Sequence, residues 1–213
     1  MAPSVTVLIA TYEFARFLGD AIESVLTQDY DGEITVHVFD DGSADDTAEV
    51  AAGYPVLYHH HENRGTVRNV GDGLACCEGD YIAFLSGDDV WKPGKLARQV
   101  QMLEENPALG LIYTDLEVVD DVRRQIHPSF WRAATIYPQR GAIAGFLESG
   151  NCVSGSTLIF RGQLREHCLP FPADARFDDW WVARSISRHA ELDFIDEPLV
   201  EYRYHGRNIC LRP

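Results

Sequence analysis

Residues 86–92, Ser-Gly-Asp-Asp-Val-Trp-Lys, carry the densest chemistry in the chain. They follow the apolar run Tyr81–Leu85, which is predicted to be a buried strand. Two adjacent carboxylates at the end of a buried strand cost free energy unless a cation meets them. A divalent metal carrying a diphosphate is such a cation, because hard ions prefer oxygen ligands. Asp88 and Asp89 therefore point to a catalytic site; the bland alternative is a capped turn ahead of the helix that begins near Pro93. A second acidic pair, Asp178–Asp179, precedes Trp180 and Trp181. Neighbouring carboxylates raise the pKa of one member, which suits proton abstraction. Asp178 as a helix N-cap is the competing role.

Three further clusters fit around these pairs. Thr11 and Tyr12 follow the first predicted strand, where a ring can stack on a nucleobase and a hydroxyl can bond its edge. Asp40-Asp41-Gly42-Ser43 ends the second; an acceptor-only carboxylate suits a uracil N3–H or a ribose hydroxyl, although the same four residues also make a turn and helix cap. Arg64 and Arg68 can each fork onto diphosphate oxygens, and either is equally at home on a solvated surface. His59-His60-His61 reads as a polar strand end and not as a metal tract, because successive strand side chains alternate faces.

The elements that must position these residues alternate regularly. Ser4–Ala10 is predicted as strand. Phe17, Ala21 and Val25, beside Leu18, Ile22 and Leu26, form one apolar helix face. Ile34–Phe39 is strand, and Ser43 with Asp46 is spaced as a capping pair for a helix. Val56–Tyr58 is strand, Thr66–Cys77 helix and Tyr81–Leu85 strand; Leu96, Val100 and Leu103 line a helix that Asn106-Pro107 ends. Four strand–helix alternations in about 105 residues predict a mostly parallel sheet covered on both faces, Rossmann-like in this half. Ligands of such sheets sit beyond the carboxyl ends of the strands, where Thr11, Asp41 and Asp88 all fall. After Gly110 the texture changes. Leu111–Tyr113 and Leu116–Val119 are predicted as strands and 122–137 as irregular. Gly141–Glu148 is predicted as a short helix, Val153–Phe160 as strand and Phe177–His189 as helix. One domain over 1–213 is expected, with a nucleotide-binding half at about 1–110 and an acceptor-binding half at about 111–213.

Composition narrows the partners. Hydrophobic residues make up 46% of the 213, enough for a core, and the formal net charge is −15. Such a surface repels nucleic acid and anionic lipid. An anionic ligand must then be held by local positive charge: a metal, an arginine or a helix N-terminus. No apolar run approaches the roughly 20 residues of a membrane helix, and no signal-like segment follows Met1, so a cytoplasmic location is expected. Cys76, Cys77, Cys152, Cys168 and Cys210 are odd in number and lack CxxC spacing, which favours free thiols over disulfides or zinc.

The segments VTVLIATYEFARFL, VFDDGSADDT, Asn63-Arg64-Gly65…Arg68-Asn69, GDYIAFLSGDDVWKPGKL, FDDWW and EYRYHGRN occur in that order. Together they resemble a family 2 glycosyltransferase of GT-A fold. The resemblance implies inverting transfer of a sugar from a nucleotide-diphospho-sugar donor, with UDP-sugars favoured, to an acceptor hydroxyl of a glycan or other molecule. It implies Mg2+ or Mn2+ and a place in polysaccharide, cell-surface glycan or glycoconjugate synthesis. It assigns nucleotide binding to Thr11, Tyr12, Glu13, Asp41, Arg68 and Gly87, and metal binding to Asp88 and His205. Asp179 becomes the catalytic base; Asp89, Asp178 and Trp180 stand near the donor sugar or behind the metal. Ser86 replaces the first carboxylate of the Asp-x-Asp metal motif, while Ala10 and Glu13 replace Pro and Asn. Arg203 is expected to be structural. A non-catalytic sugar-nucleotide or glycan-binding module of the same fold is the alternative, and homo-oligomerisation is left open.

Overall fold

The computed structural model describes residues 2–206 and 208. The first half alternates β1 (Val5–Thr11), α1 (Ala15–Leu26), β2 (Ile34–Asp40), α2 (Thr47–Ala52), β3 (Leu57–His60), α3 (Thr66–Cys76) and β4 (Tyr81–Ser86). These strands pair in parallel in the order β3-β2-β1-β4. Their side chains alternate between two cores. Val5, Val7 and Ile9 meet Leu18, Ile22 and Val25 of α1 on one face, while Leu8 meets Val70 and Leu74 of α3 on the other. Burial on both faces explains why each strand reads as a continuous apolar run.

The predicted Ser43–Asp46 cap does not form. Ser43 Oγ instead donates to Asp40 at 2.6 Å. The capping carboxylate is Asp45, which accepts from the Thr47 amide of α2 at 3.1 Å and from the Ala15 amide of α1 at 3.0 Å. One side chain thus serves two helix starts, a tertiary arrangement that local spacing does not reveal.

The second half contributes β5 (Val90–Trp91), α4 (Lys95–Glu105), β6 (Leu109–Val119), β7 (Gln125–His127), α5 (Phe130–Ala133), α6 (Ala144–Leu147), β8 (Ile159–Arg161), α7 (Arg165–Cys168), α8 (Asp178–Ile186) and β9 (Glu191–Arg203). The sheet continues β4-β8-β6-β9-β5, with β7 on β6. β8 runs antiparallel to both neighbours, and β6 and β9 are parallel. The result is an α/β fold with one sheet, parallel through its first four strands and mixed beyond, flanked by helices.

Several local expectations change here. The two short strands predicted between Leu111 and Val119 are one strand, irregular near Asp115. Residues 122–137 hold β7 and α5. The strand expected from Val153 begins only at Ile159, because Gly155–Thr157 is a 3-10 turn. The α8 helix is shorter than the predicted span. Glu191–Arg203, to which the sequence pattern assigns no element, is the longest strand. Its Pro198 sits opposite Asp115 where the register slips, a place where a missing N–H is tolerated. No helix among the described residues is long and apolar enough to cross a membrane.

Candidate active site

Register brings the predicted site residues together. Thr11 lies opposite Asp40, and Ala10 opposite Ser86, so the carboxyl ends of β1, β2 and β4 are neighbours. A cavity of about 960 Å³ opens there, walled by residues of both halves. Gly87 lets the β4 turn lie against β1: its amide donates to Ala10 O at 2.8 Å, and a Cβ would stand 2.6 Å from Thr11 Oγ1. Thr11 Oγ1 is buried and has no hydrogen-bond partner among the described residues. An unpaired buried hydroxyl costs about 1–3 kcal/mol, which a ligand on this wall can recover.

Tyr12, Glu13 and Asp41 line the cavity. Tyr12 is half exposed at the rim. Glu13 adopts a left-handed φ of 57°, its amide donating to Ser43 Oγ at 2.8 Å and its carboxylate accepting from the Ala44 amide at 2.7 Å. Non-glycine strain of this kind gathers at binding loops. Asp41 accepts from the amides of Arg64 at 2.7 Å and Gly65 at 2.8 Å. Asp40 braces the same loop through Ser43 and Tyr58. Gly42 has φ 84°, and a Cβ there would lie 2.6 Å from the Asn63 amide. Arg68 is exposed on the first turn of α3, outside the cavity wall, and Arg64 pairs with Asp72 at 3.0 Å. The buried Asn69, not singled out by sequence, faces the cavity instead; it donates to Phe39 O at 2.9 Å and contacts His61 at 2.9 Å.

At the end of β4, Asp88 is buried on the cavity wall. One oxygen meets the Ser86 hydroxyl, and the other lies 2.9 Å from His205 Nε2. His205 is held by Phe17, stacked at 5.2 Å, and by the edge of Phe14 at 5.4 Å. Asp89 points to protein: it accepts from Ser156 Oγ at 2.5 Å and from the Arg203 amide at 3.1 Å. Burial, then the charge of Asp88, pushes its pKa well above the usual carboxylate range. Arg203 is structural as expected. It is buried, donates to the carbonyls of Asp88 and Asp121 at 2.9 Å each, and pairs with Asp20 at 2.8 Å. No cluster of three or more His, Cys, Asp or Glu side chains is set to hold a metal among the described residues. The available donor set is Asp88 with His205. That set fits a hard divalent ion which takes one or two protein ligands and fills its sphere with phosphate and water. Arg207 and Cys210 lie outside the described residues.

Asp178 and Asp179 open the first turn of α8 and line the same cavity with Trp180. Asp179 accepts from the Trp180 amide at 2.5 Å, the Gly155 amide at 3.1 Å and Asn151 Nδ2 at 3.2 Å. Burial raises Asp178 to about 6. Burial, then the charge of Asp178, raises Asp179 to about 7. Both residues are partly exposed and line the cavity. Phe177 caps the helix backbone, so Asp178 is not the N-cap. Trp180 Nε1 donates to Leu147 O at 2.8 Å. Asn151 and Ser156 escape sequence analysis, being short polar residues in an aperiodic stretch.

A parallel sheet that gathers acidic strand ends at one crevice, extended by a mixed half carrying a second carboxylate pair, is a GT-A architecture. The glycosyl transferase family 2 model matches residues 6–168, and the chain belongs to that family. It is 27% identical to an uncharacterized glycosyltransferase of Nostoc sp. over 96% of this chain and 66% of the relative. It is 34% identical to an uncharacterized glycosyltransferase of Rickettsia felis over 96% of this chain and 35% of the relative. Among solved structures, the mannosyltransferase PcManGT of Pyrobaculum calidifontis, in complex with GDP-Man and Mn2+, superposes with a TM-score of 0.74 at 19% identity, covering 98% of this chain and 59% of that one. S. aureus TarS 1-349 in complex with UDP-GlcNAc gives 0.70 at 15%, covering 96% and 60%. The chain thus spans about two thirds or less of the length of these relatives.

Proposed function

We propose that this glycosyltransferase is an inverting, metal-dependent enzyme that moves a sugar from a nucleotide diphosphate, with uridine the favoured nucleoside, to an uncommitted acceptor hydroxyl. The carrying observation is that Thr11, Tyr12, Asp41, Asp88 and Asp179, spread over most of the chain, line one cavity. The complexes of PcManGT with GDP-Man and Mn2+ and of TarS with UDP-GlcNAc support a nucleotide-sugar donor.

In this reading Tyr12 stacks on the base, Asp41 and Thr11 bond the nucleoside, and residues 1–110 form the donor half of a single domain. Asp88, with His205 beside it, would hold Mg2+ or Mn2+, which would supply compensation for charge developing on the diphosphate. The described cavity wall includes Glu13, Asp41, Asp88, Asp178 and Asp179, with Asp89 turned to Ser156 and the Arg203 amide, and no Lys, Arg or His; His205 is outside that wall, 2.9 Å from Asp88. Such a wall repels a bare diphosphate, which favours a bound cation. Asp179 takes the acceptor proton as the acceptor oxygen bonds to the anomeric carbon and the bond to the departing phosphate breaks. Its neutral N–H partners hold the carboxylate in place and leave it able to accept a proton. A single displacement inverts the anomeric centre without a covalent enzyme intermediate. Arg68 enters only as a donor contact from outside the wall.

The test is calorimetry and turnover with UDP-, GDP- and dTDP-sugars, with and without Mn2+ or Mg2+. Metal-enhanced nucleotide affinity with sugar release is expected. No metal enhancement for any of these nucleotides overturns the reading; saturable binding without release supports the non-catalytic module instead.

A further inference from the structure

We propose that Ser156 is a positioning residue that holds the Asp88 end of β4 and the proton acceptor Asp179 in one frame, through the 3-10 turn Gly155–Thr157. The inference rests on the functional reading above. It assigns work to a residue that touches neither nucleotide motif in sequence.

The turn contacts both ends of the chemistry. The Gly155 amide donates to Asp179 Oδ2 at 3.1 Å. The next residue, Ser156, donates its hydroxyl to Asp89 Oδ2 at 2.5 Å and accepts from the Ser86 amide at 3.1 Å. A single buried hydroxyl thus bonds on both sides of Asp88 in sequence. Asp89 passes the constraint on: its other oxygen accepts from the Arg203 amide at 3.1 Å, two residues before His205. Asp88 and His205, the two side chains available to a metal, are therefore both tied to Ser156 through Asp89.

The turn has little freedom to move. Ser156 O accepts from Trp91 Nε1 at 2.8 Å, and Thr157 O accepts from Gln99 Nε2 at 2.8 Å. Gln99 is set in turn by Lys95, fully buried, whose Nζ donates to Gln99 Oε1 at 2.8 Å and lies 3.9 Å over the Trp91 ring. A polar network with its members paired is stiff, and stiffness is what a positioning role requires. Displacement by about 1 Å at a reacting centre costs on the order of 10²-fold in rate.

The test compares wild type with Ser156→Ala and Ser156→Cys. Mn2+ binding in the presence of UDP, and separately of GDP, is measured by electron paramagnetic resonance, beside thermal unfolding and kcat at saturating metal. Ser156→Ala is expected to weaken Mn2+ binding by about tenfold and to lower kcat by about 10²-fold. Ser156→Cys, with a weaker donor of similar size, should fall between. A lower melting temperature with unmoved Mn2+ affinity and kcat overturns the positioning role and leaves the functional reading standing. If the alanine variant does not fold, the cysteine variant decides by the same two constants. Wild type that binds no Mn2+ with either nucleotide overturns the functional reading, and this inference with it.

Discussion

Asp88–Asp89 and Asp178–Asp179 are the same dipeptide in two settings. The first ends a central strand, with a histidine 2.9 Å from Asp88 and a buried serine on Asp89. The second opens a helix, and among the described residues Asp179 accepts from neutral N–H donors. A helix N-terminus stabilises a carboxylate by about 0.3–1 kcal/mol, less than one pKa unit. Burial nevertheless raises both Asp178 and Asp179, and the charge of Asp178 raises Asp179 further. The comparison teaches that partners separate the two pairs, a histidine and a serine hydroxyl at the first and N–H donors at the second, while burial raises Asp89 and Asp179 alike.

The largest break in that comparison should come from Asp179→Asn. Losing a general base typically costs about 10²–10⁴-fold. Transfer should therefore collapse while calorimetric donor affinity stays within about twofold, whereas unchanged turnover would remove Asp179 from its role. Asp88→Ala should lower turnover by about 10²–10³-fold, as loss of an electrostatic stabiliser does elsewhere; unlike Asp179→Asn, it should also weaken Mn2+-dependent nucleotide binding.

Replacing the buried Arg203 tests the frame around the first pair. Arg203→Ala should destabilise by about 3 kcal/mol, the low end for breaking a buried pair because Asp20 is half exposed. Urea unfolding would check this, and a loss under 1 kcal/mol would show that Arg203 does not brace the site.

The smallest effect concerns pH. Asp179 must be deprotonated to accept a proton, so kcat should rise with pH through about 7. Asp178→Asn removes a charge that raises Asp179, and the acid limb should move to lower pH by less than about one unit. A shift to higher pH would show that Asp178 does not act on Asp179 through its charge.

The nucleotide half was legible because its strands are buried on both faces and alternate with amphipathic helices. Tyr81–Leu85 is strand up to Ser86, and Phe17, Ala21 and Val25 do lie on the buried face of α1. The other half hid its design. β9 carries charges and a proline, so its 13 residues lack periodicity, yet it delivers Arg203 and His205 to Asp88. The polar stretch 154–157, expected to belong to a strand from Val153, is instead a turn whose geometry is imposed by Trp91, Gln99 and Asp179. Arg68 has suitable chemistry and spacing, but the rotation of α3 turns it outward and brings Asn69 to the wall.

Sequence by itself determined the family, the alternation of the first strands and helices and the identity of the acidic pairs, since these follow from local pattern and motif order. Tertiary structure decided that both pairs line one cavity and which polar residues hold each carboxylate in place. Those outcomes depend on burial and on hydrogen bonds between residues as far apart as Asp20 and Arg203 or Asp88 and His205, and such contacts exist only once the sheet has assembled.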